Sequence, residues 1–296
     1  MTKYSPLLYG KQPMNDKKNT SVEFYPAALT ISGSDSGGGS GIQADLRTFN
    51  AYGIFGCSAI TSISAQNPLE TAGIVNIPAS AIALQIDTVL KEIPVKYAKC
   101  GTLPDANSIS AVADAVNKHH LFLICDPTKK IVQSKDMLDT LKKELLPICK
   151  WFTPDIPEAE MILQRKIKDF NAMKSAALEL FESTGCNIIL KGGYLENTVH
   201  ASDAVCVKGE VFTLKSPAAE IDSSSESHGR GCTFSAALTS GFAMGMDWKN
   251  SLTDAKAFVL GSLRETAMIG PDIFAMYPPT EDCRHEVKLT ANSRKK

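Results

Sequence analysis

The chain has 296 residues, of which 44% are apolar and 21% charged, and a formal net charge of -1. Such a balance supports a large buried core and leaves no basic footprint for nucleic acid. Its eight cysteines form no C-x-x-C pair, which excludes the usual zinc ribbon and redox motif, and no run of 18 apolar residues suggests a membrane partner.

Residues 1–25 read as a polar, loose extension without the apolar centre of a signal peptide, and without the arginines of a mitochondrial presequence. The expectation is a reduced, soluble, cytoplasmic protein. After Pro26, short β-branched runs alternate with amphipathic stretches, the pattern of a parallel sheet covered by helices. A first strand, "AALTISG", leads into a helix near "IQADLRTFNAYG" that closes at Gly53. "CSAITSIS" follows as a strand, "AQNPLETAG" as a polar link, and "SAIALQIDTVLKEI" as a helix. "VKYAKCG", "HLFLICDP", "KWFTPD" and "CNIILKGG" are further short strands that end in turn residues, with helical patterns between them. "DAVCVKGEVFTLKS" predicts a hairpin turning at Lys208-Gly209, which makes the sheet mixed. "GCTFSAALTSGFAMG" and "SLTDAKAFVLGSLRETAMIG" are two closing apolar helices. No period of 20 to 50 residues repeats, and no linker divides the chain. One domain over 26–282 is expected, with a polar tail at 283–296.

Two glycine loops carry the chemistry. In "TISGSDSGGGSGIQAD", Gly39-Ser-Gly41-Ile-Gln-Ala44 satisfies the G-x-G-x-x-A form of a dinucleotide fingerprint. That reading needs an acidic residue at the end of the second strand, where Gln66 stands instead. No G-x-x-x-x-G-K-[ST] loop occurs either. Taken alone, the glycines equally serve a tight strand-to-helix turn. The second loop, "SHGRGCTFSAAL", sets Gly229 and Gly231 before another helical run, where backbone N–H groups converge on an anion such as a phosphate. Two such loops 190 positions apart, Gly39 and Gly229, suggest a cleft with a small substrate on one side and phosphates on the other. Cys232 at the same helix start is either a thiol drawn below the free value of ~8.5 by the helix dipole or a small apolar residue. His228 is open between capping the loop and taking part in it, and His119 and His120 read as surface residues.

"ALTISGSDSGGGSGIQADLRTF", "GCSAITSISAQN", "TPDIPEAE", "LKGG" and "SHGRGCTFSAAL", in this order, resemble the hydroxymethylpyrimidine and phosphomethylpyrimidine kinases of thiamine biosynthesis, over about 27–270. The resemblance implies a ribokinase-like three-layer α/β fold, with a mostly parallel central sheet, helices on both faces and a small hairpin. It also implies ATP, Mg2+, a small pyrimidine substrate and a homodimer. By position it assigns Gln66, Ser40 and Asp45 to the ring pocket, where Gln66 offers both a donor and an acceptor. Gly229 and Gly231 become the anion hole, and Cys232 the group that accepts or orients the proton of the substrate hydroxyl. Asp155 and Lys191 fall beside the ATP phosphates, and Glu158 where hydrated magnesium is held.

Departures from the family pattern make the pocket more polar. Ser40, Thr102 and Thr128 replace an alanine, a methionine and a valine, and Asp155 replaces an asparagine. The segment after Asp126-Pro127, with Lys129, Lys130 and Lys135, is shorter than the family's flap and has no glycine hinge, so a less complete lid is expected. Pyridoxal or pyridoxine kinases are the enzymatic alternative, and a catalytically weak homologue that binds ring compounds is the other.

Overall fold

The computed structural model describes residues 25–193, 195, 199–219 and 228–292 of this chain. The loose extension expected at 1–25 therefore lies, Tyr25 aside, outside the described residues.

The first half runs β1 (Ala27–Asp35), α1 (Gly41–Ala51), β2 (Phe55–Gln66), β3 (Thr71–Asn76), α2 (Ala79–Glu92), β4 (Tyr97–Cys100), α3 (Ala106–His119) and β5 (Phe122–Cys125). Two short helices, α4 (Lys129–Gln133) and α5 (Lys135–Thr140), lead on to β6 (Trp151–Phe152), α6 (Ile156–Leu163), α7 (Phe170–Thr184) and β7 (Asn187–Leu190). The hairpin β8 (His200–Val207) and β9 (Glu210–Pro217) precedes α8 (Arg230–Ala243), α9 (Trp248–Arg264), β10 (Ala267–Gly270), β11 (Ile273–Ala275) and β12 (Lys288–Ala291).

Among the described residues, ten strands form one sheet in the order β12-β9-β8-β7-β6-β5-β4-β1-β2-β3. Strands β7, β6, β5, β4, β1 and β2 are parallel, while β3 at one edge and β8, β9 and β12 at the other are antiparallel. Side-chain alternation gives the two cores. Leu29, Leu123 and Ile188 pack with residues of α2, α3, α6 and α7, and their neighbours Ala28, Ile124 and Ile189 pack with those of α1, α8 and α9. The result is a helix–sheet–helix sandwich whose parallel strands all end on one side, where α/β folds place their ligands.

Local signals account for most boundaries. Asp105, Asp169 and Asp247 cap α3, α7 and α9 by accepting backbone N–H groups. Lys208 and Gly209, with φ of 51° and 81°, make the tight turn of the β8–β9 hairpin, as read from the sequence.

Four expectations needed correction. The polar link after Gln66 contains β3, an exposed strand that only β2 specifies. The last helix stops at Arg264, and the apolar run beyond it pairs as the β10–β11 hairpin. Residues 283–291 are not a simple polar tail: Cys283 is fully buried, and β12 extends the main sheet beside β9. The segment read as a reduced flap is helical at 129–133, and the buried Ile131 fixes it to the core. Among the described residues no helix is long and apolar enough to cross a membrane.

Candidate active site

Asp35, the last residue of β1, organises the first glycine loop. One carboxylate oxygen accepts the Gly37 N–H at 2.9 Å, and the other accepts both the backbone N–H and the hydroxyl of Ser40, each at 2.9 Å. Burial pushes the Asp35 carboxyl up, but the bonds from Ser40, His228 and Gly37 outweigh it and hold the group below the usual carboxylate range. Gly41 then opens α1 with φ of 58°, and a Cβ there would collide with the Gly33 carbonyl.

The second loop docks directly on the first. Gly229 caps α8 with φ of 83°, and a side chain there would run into the carbonyl oxygen of Gly39. His228 occupies the space that a side chain at Gly39 would need. Its Nε2 lies 3.2 Å from Asp35 Oδ2 and 3.3 Å from Gln66 Nε2. Because the carboxylate can only accept, Nε2 carries the proton and donates to Asp35. His228 thus ties the two loops together and touches Gln66, whose Oε1 accepts from Thr71 at 3.2 Å.

Behind Gly231 lies a charged cluster. Lys191, just past β7, donates to Asp126 at 2.7 Å, and Asp126 also accepts from Thr153 and Ser235, both at 2.9 Å. Burial opposes charge on Asp126, yet Lys191 and Lys99 hold its carboxyl below the usual range. A Cβ on Gly231 would sit 3.3 Å from Lys191 Nζ, so the glycine keeps the ammonium close to the start of α8. Asp155 and Glu158 form a reciprocal capping box on α6: each backbone N–H bonds the other's carboxylate at 2.8 Å. Burial pushes Glu158 up to about 8 despite the pull of Lys191.

All of these elements face one cavity of about 620 Å³. Ser40, Thr128, Asp155, Glu158, Lys191 and the 228–232 loop are among its polar lining, and Pro217, Ala218, Val259, Leu260 and Leu263 among its apolar lining. The Thr128 hydroxyl oxygen and His200 Nδ1 face no hydrogen-bond partner among the described residues, although both atoms are buried. Paired loops at a helix N-terminus with a lysine beside them form a setting suited to an anion such as a phosphate.

The family model of phosphomethylpyrimidine kinases matches residues 35–276. This chain belongs to that family. It is a phosphotransferase of ribokinase-like fold. It is similar to the hydroxymethylpyrimidine/phosphomethylpyrimidine kinase of Haemophilus influenzae, with 36% identity over 254 residues that cover 82% of this chain and 92% of the relative. The pyridoxal kinase of Staphylococcus aureus in complex with ADP superimposes with a TM-score of 0.81 at 26% identity, covering 91% of this chain and 100% of that one. The phosphomethylpyrimidine kinase of Clostridium difficile superimposes with a TM-score of 0.68 at 31% identity, covering 79% and 98%.

In this kinase most of the residues singled out in the sequence do meet. Ser40, Thr128, Asp155, Glu158, Lys191, Gly229, Gly231 and Cys232 share the cavity, and Gln66 stands beside it through His228. Asp45 does not line it. Its side chain is fully buried, bonded to Lys99 at 2.7 Å and to the Thr30 hydroxyl at 2.6 Å. Thr102 lies behind the first loop instead: its N–H reaches Ser32 and its carbonyl accepts from Thr61. Asp126 and Asp35 were missed as site residues. Asp35 ends its strand and Asp126 directly follows one and stands before a proline, which was the available signal.

Cys232 departs from the lowered thiol allowed by its place at a helix start. Burial pushes it up to about 11, and the nearby carboxylates of Asp45 and Asp126 add to this, against Lys99 and the Gly41 N–H. The thiol is therefore protonated at neutral pH. At pH 7.5 its alkylation should run roughly 300-fold slower than that of a free thiol, from the difference between about 11 and ~8.5. Mass spectrometry of the Cys232 peptide after timed iodoacetamide exposure measures this, and a rate within three-fold of free cysteine would mean an ordinary thiol that burial does not raise.

Proposed function

We propose that this kinase transfers the terminal phosphate of ATP to the hydroxymethyl group of 4-amino-5-hydroxymethyl-2-methylpyrimidine, and then phosphorylates the monophosphate. The observation that carries the proposal is the contact of Gly229 with Gly39, which joins a ring-sized loop to a phosphate-binding helix start. The ring lies against the first loop with Gln66 reading its edge. The N–H groups at Gly229 and Gly231 take the charge that develops on the transferring phosphate, and Lys191 neutralises it. Cys232, protonated, orients the substrate hydroxyl. A loose transition state asks more of positioning than of a base, so a neutral thiol suffices.

Magnesium fits the donor set. Asp155 and Glu158 present hard carboxylate oxygens on the cavity wall, and magnesium typically uses one or two such groups together with water and substrate phosphates. Bound there, the ion would offset triphosphate charge, and its own charge would favour ionised Glu158 over the neutral form that burial promotes. A cytoplasmic location and a homodimer belong to the same reading, the latter tested by sedimentation at micromolar protein.

The stronger superposition on a pyridoxal kinase favours pyridoxal as the second reading. ADP release with the pyrimidine alcohol, its monophosphate and pyridoxal decides between them. The two pyrimidines are expected to turn over at least ten-fold better in kcat/KM than pyridoxal. The reverse order would establish the vitamin kinase, and tight ring binding with no ADP release a non-catalytic homologue. In the same assay Gln66→Leu should weaken ring binding by about 1 to 3 kcal/mol, because ring polar groups lose a partner. Unchanged ring affinity would move the ring away from Gln66.

A further inference from the structure

Among the described residues, the cavity wall carries three basic side chains besides its histidines: Lys191, Arg230 and Lys256. Two are already neutralised. Lys191 is paired with Asp126 at 2.7 Å, and Lys256 with Asp203 at 2.7 Å. Asp203 also accepts the Gly192 N–H at 2.9 Å, which fixes the turn that follows Lys191. Asp155 and Glu158 add two further carboxylates to the same wall. Against that acidic surface, Arg230 is the one cavity cation that forms neither an ion pair nor a side-chain hydrogen bond among the described residues.

Its position is fixed by the two loops. Arg230 is the first residue of α8, next to the Gly231 that faces Lys191. Its guanidinium lies over Gly193, where a Cβ would stand 3.0 Å from a terminal nitrogen and 3.2 Å from Cζ. The first glycine loop and Gln66 lie on the other side of Gly229, reached through His228. Arg230 therefore lines the same cavity as Lys191, Leu195, Pro217 and Leu263, with its guanidinium held against Gly193.

We propose that Arg230 binds phosphate oxygens of the nucleotide. This deepens the kinase reading above and rests on it. A planar, permanently charged fork matches phosphate geometry, and Arg230 carries it on the first residue of α8, where the helix N–H groups favour the same anion. Arg230 and Lys191 then flank Gly231 and hold the polyphosphate from two sides, while the acidic wall opposite is left to the divalent ion. Gly193 is the companion requirement, since a side chain there would displace the guanidinium.

The test is calorimetric binding of ADP and of adenosine to the wild-type protein, Arg230→Ala, Arg230→Lys and Gly193→Ala. Arg230→Ala should weaken ADP about 10- to 100-fold, as loss of charge-assisted bonds does, and leave adenosine within two-fold. Arg230→Lys should recover only part, because a point charge does not replace the fork. Gly193→Ala keeps the arginine and should still weaken ADP several-fold, which guards against a folding defect in the charge-removing variant. ADP affinity within two-fold of wild type in both Arg230→Ala and Gly193→Ala overturns the proposal. Selective loss of monophosphate turnover with ADP binding intact also overturns it, and assigns the arginine to the substrate. A wild-type protein that binds ADP but phosphorylates no pyrimidine defeats the substrate reading and leaves this binding test in force.

Discussion

Gly229→Ala is expected to lower turnover at least 100-fold while the protein still folds. Two costs fall at this position. Its φ of 83° is unfavourable for an alanine, by about 1–2 kcal/mol, and its new Cβ would meet the Gly39 carbonyl. The first cost is shared with Gly245, which has φ of 79° and open space around it. Gly245→Ala is thus the control for backbone strain alone. The second cost is particular to Gly229, because relieving the collision parts the two loops and moves the N–H groups off the transferring phosphate. Loss of a single preorganised donor of this kind typically costs about 100- to 1,000-fold in rate. Steady-state ADP release and melting temperature on both variants check the prediction. Equal activity in the two would show that loop contact is not needed for catalysis.

The second large effect concerns stability. Asp45→Leu leaves the Lys99 ammonium fully buried beside the Thr30 hydroxyl and without its carboxylate. Breaking a buried pair in this way costs about 3–5 kcal/mol, or roughly 6–20 °C in melting temperature. Burial works against charge on Lys99, but Asp45, joined by Cys232 and Asp126, more than compensates and holds the ammonium above its ordinary value. A raised lysine contributes its full stability below the unfolded value of about 10.4 and loses it as pH rises through the folded value, so measurement at pH 7 captures it whole. The double variant Asp45→Leu with Lys99→Met should recover most of the loss, since apolar residues replace both charges. A double variant as unstable as Asp45→Leu alone would show that the cost lies in packing.

The pair also shows where sequence reading stops. Asp45 sits in the first helix beside the glycine loop, and the family resemblance placed it in the ring pocket. Parallel pairing of β1 with β4 puts Lys99 next to Thr30, and both side chains point to the face covered by α1. Asp45 meets them there. Nothing in the chain between Asp45 and Lys99, 54 positions apart, records that register. Cys232 is a similar case. Its helix-start position was legible and left a lowered thiol or a small apolar residue open, but the carboxylates that contribute to the upward shift come from α1 and from the end of β5.

By itself the sequence determined the alternation of strands and helices, the hairpin at Lys208-Gly209 and both glycine loops. These depend on side-chain period, capping and positive φ, which act between residues a few positions apart. Tertiary structure alone decided that β3 and β12 join the sheet edges, that Gly229 rests on Gly39, and that Lys191 pairs with Asp126 while Arg230 pairs with no described carboxylate. Edge pairing, burial and charge balance are sums over neighbours supplied by distant segments, and they exist only once the strands have taken their order.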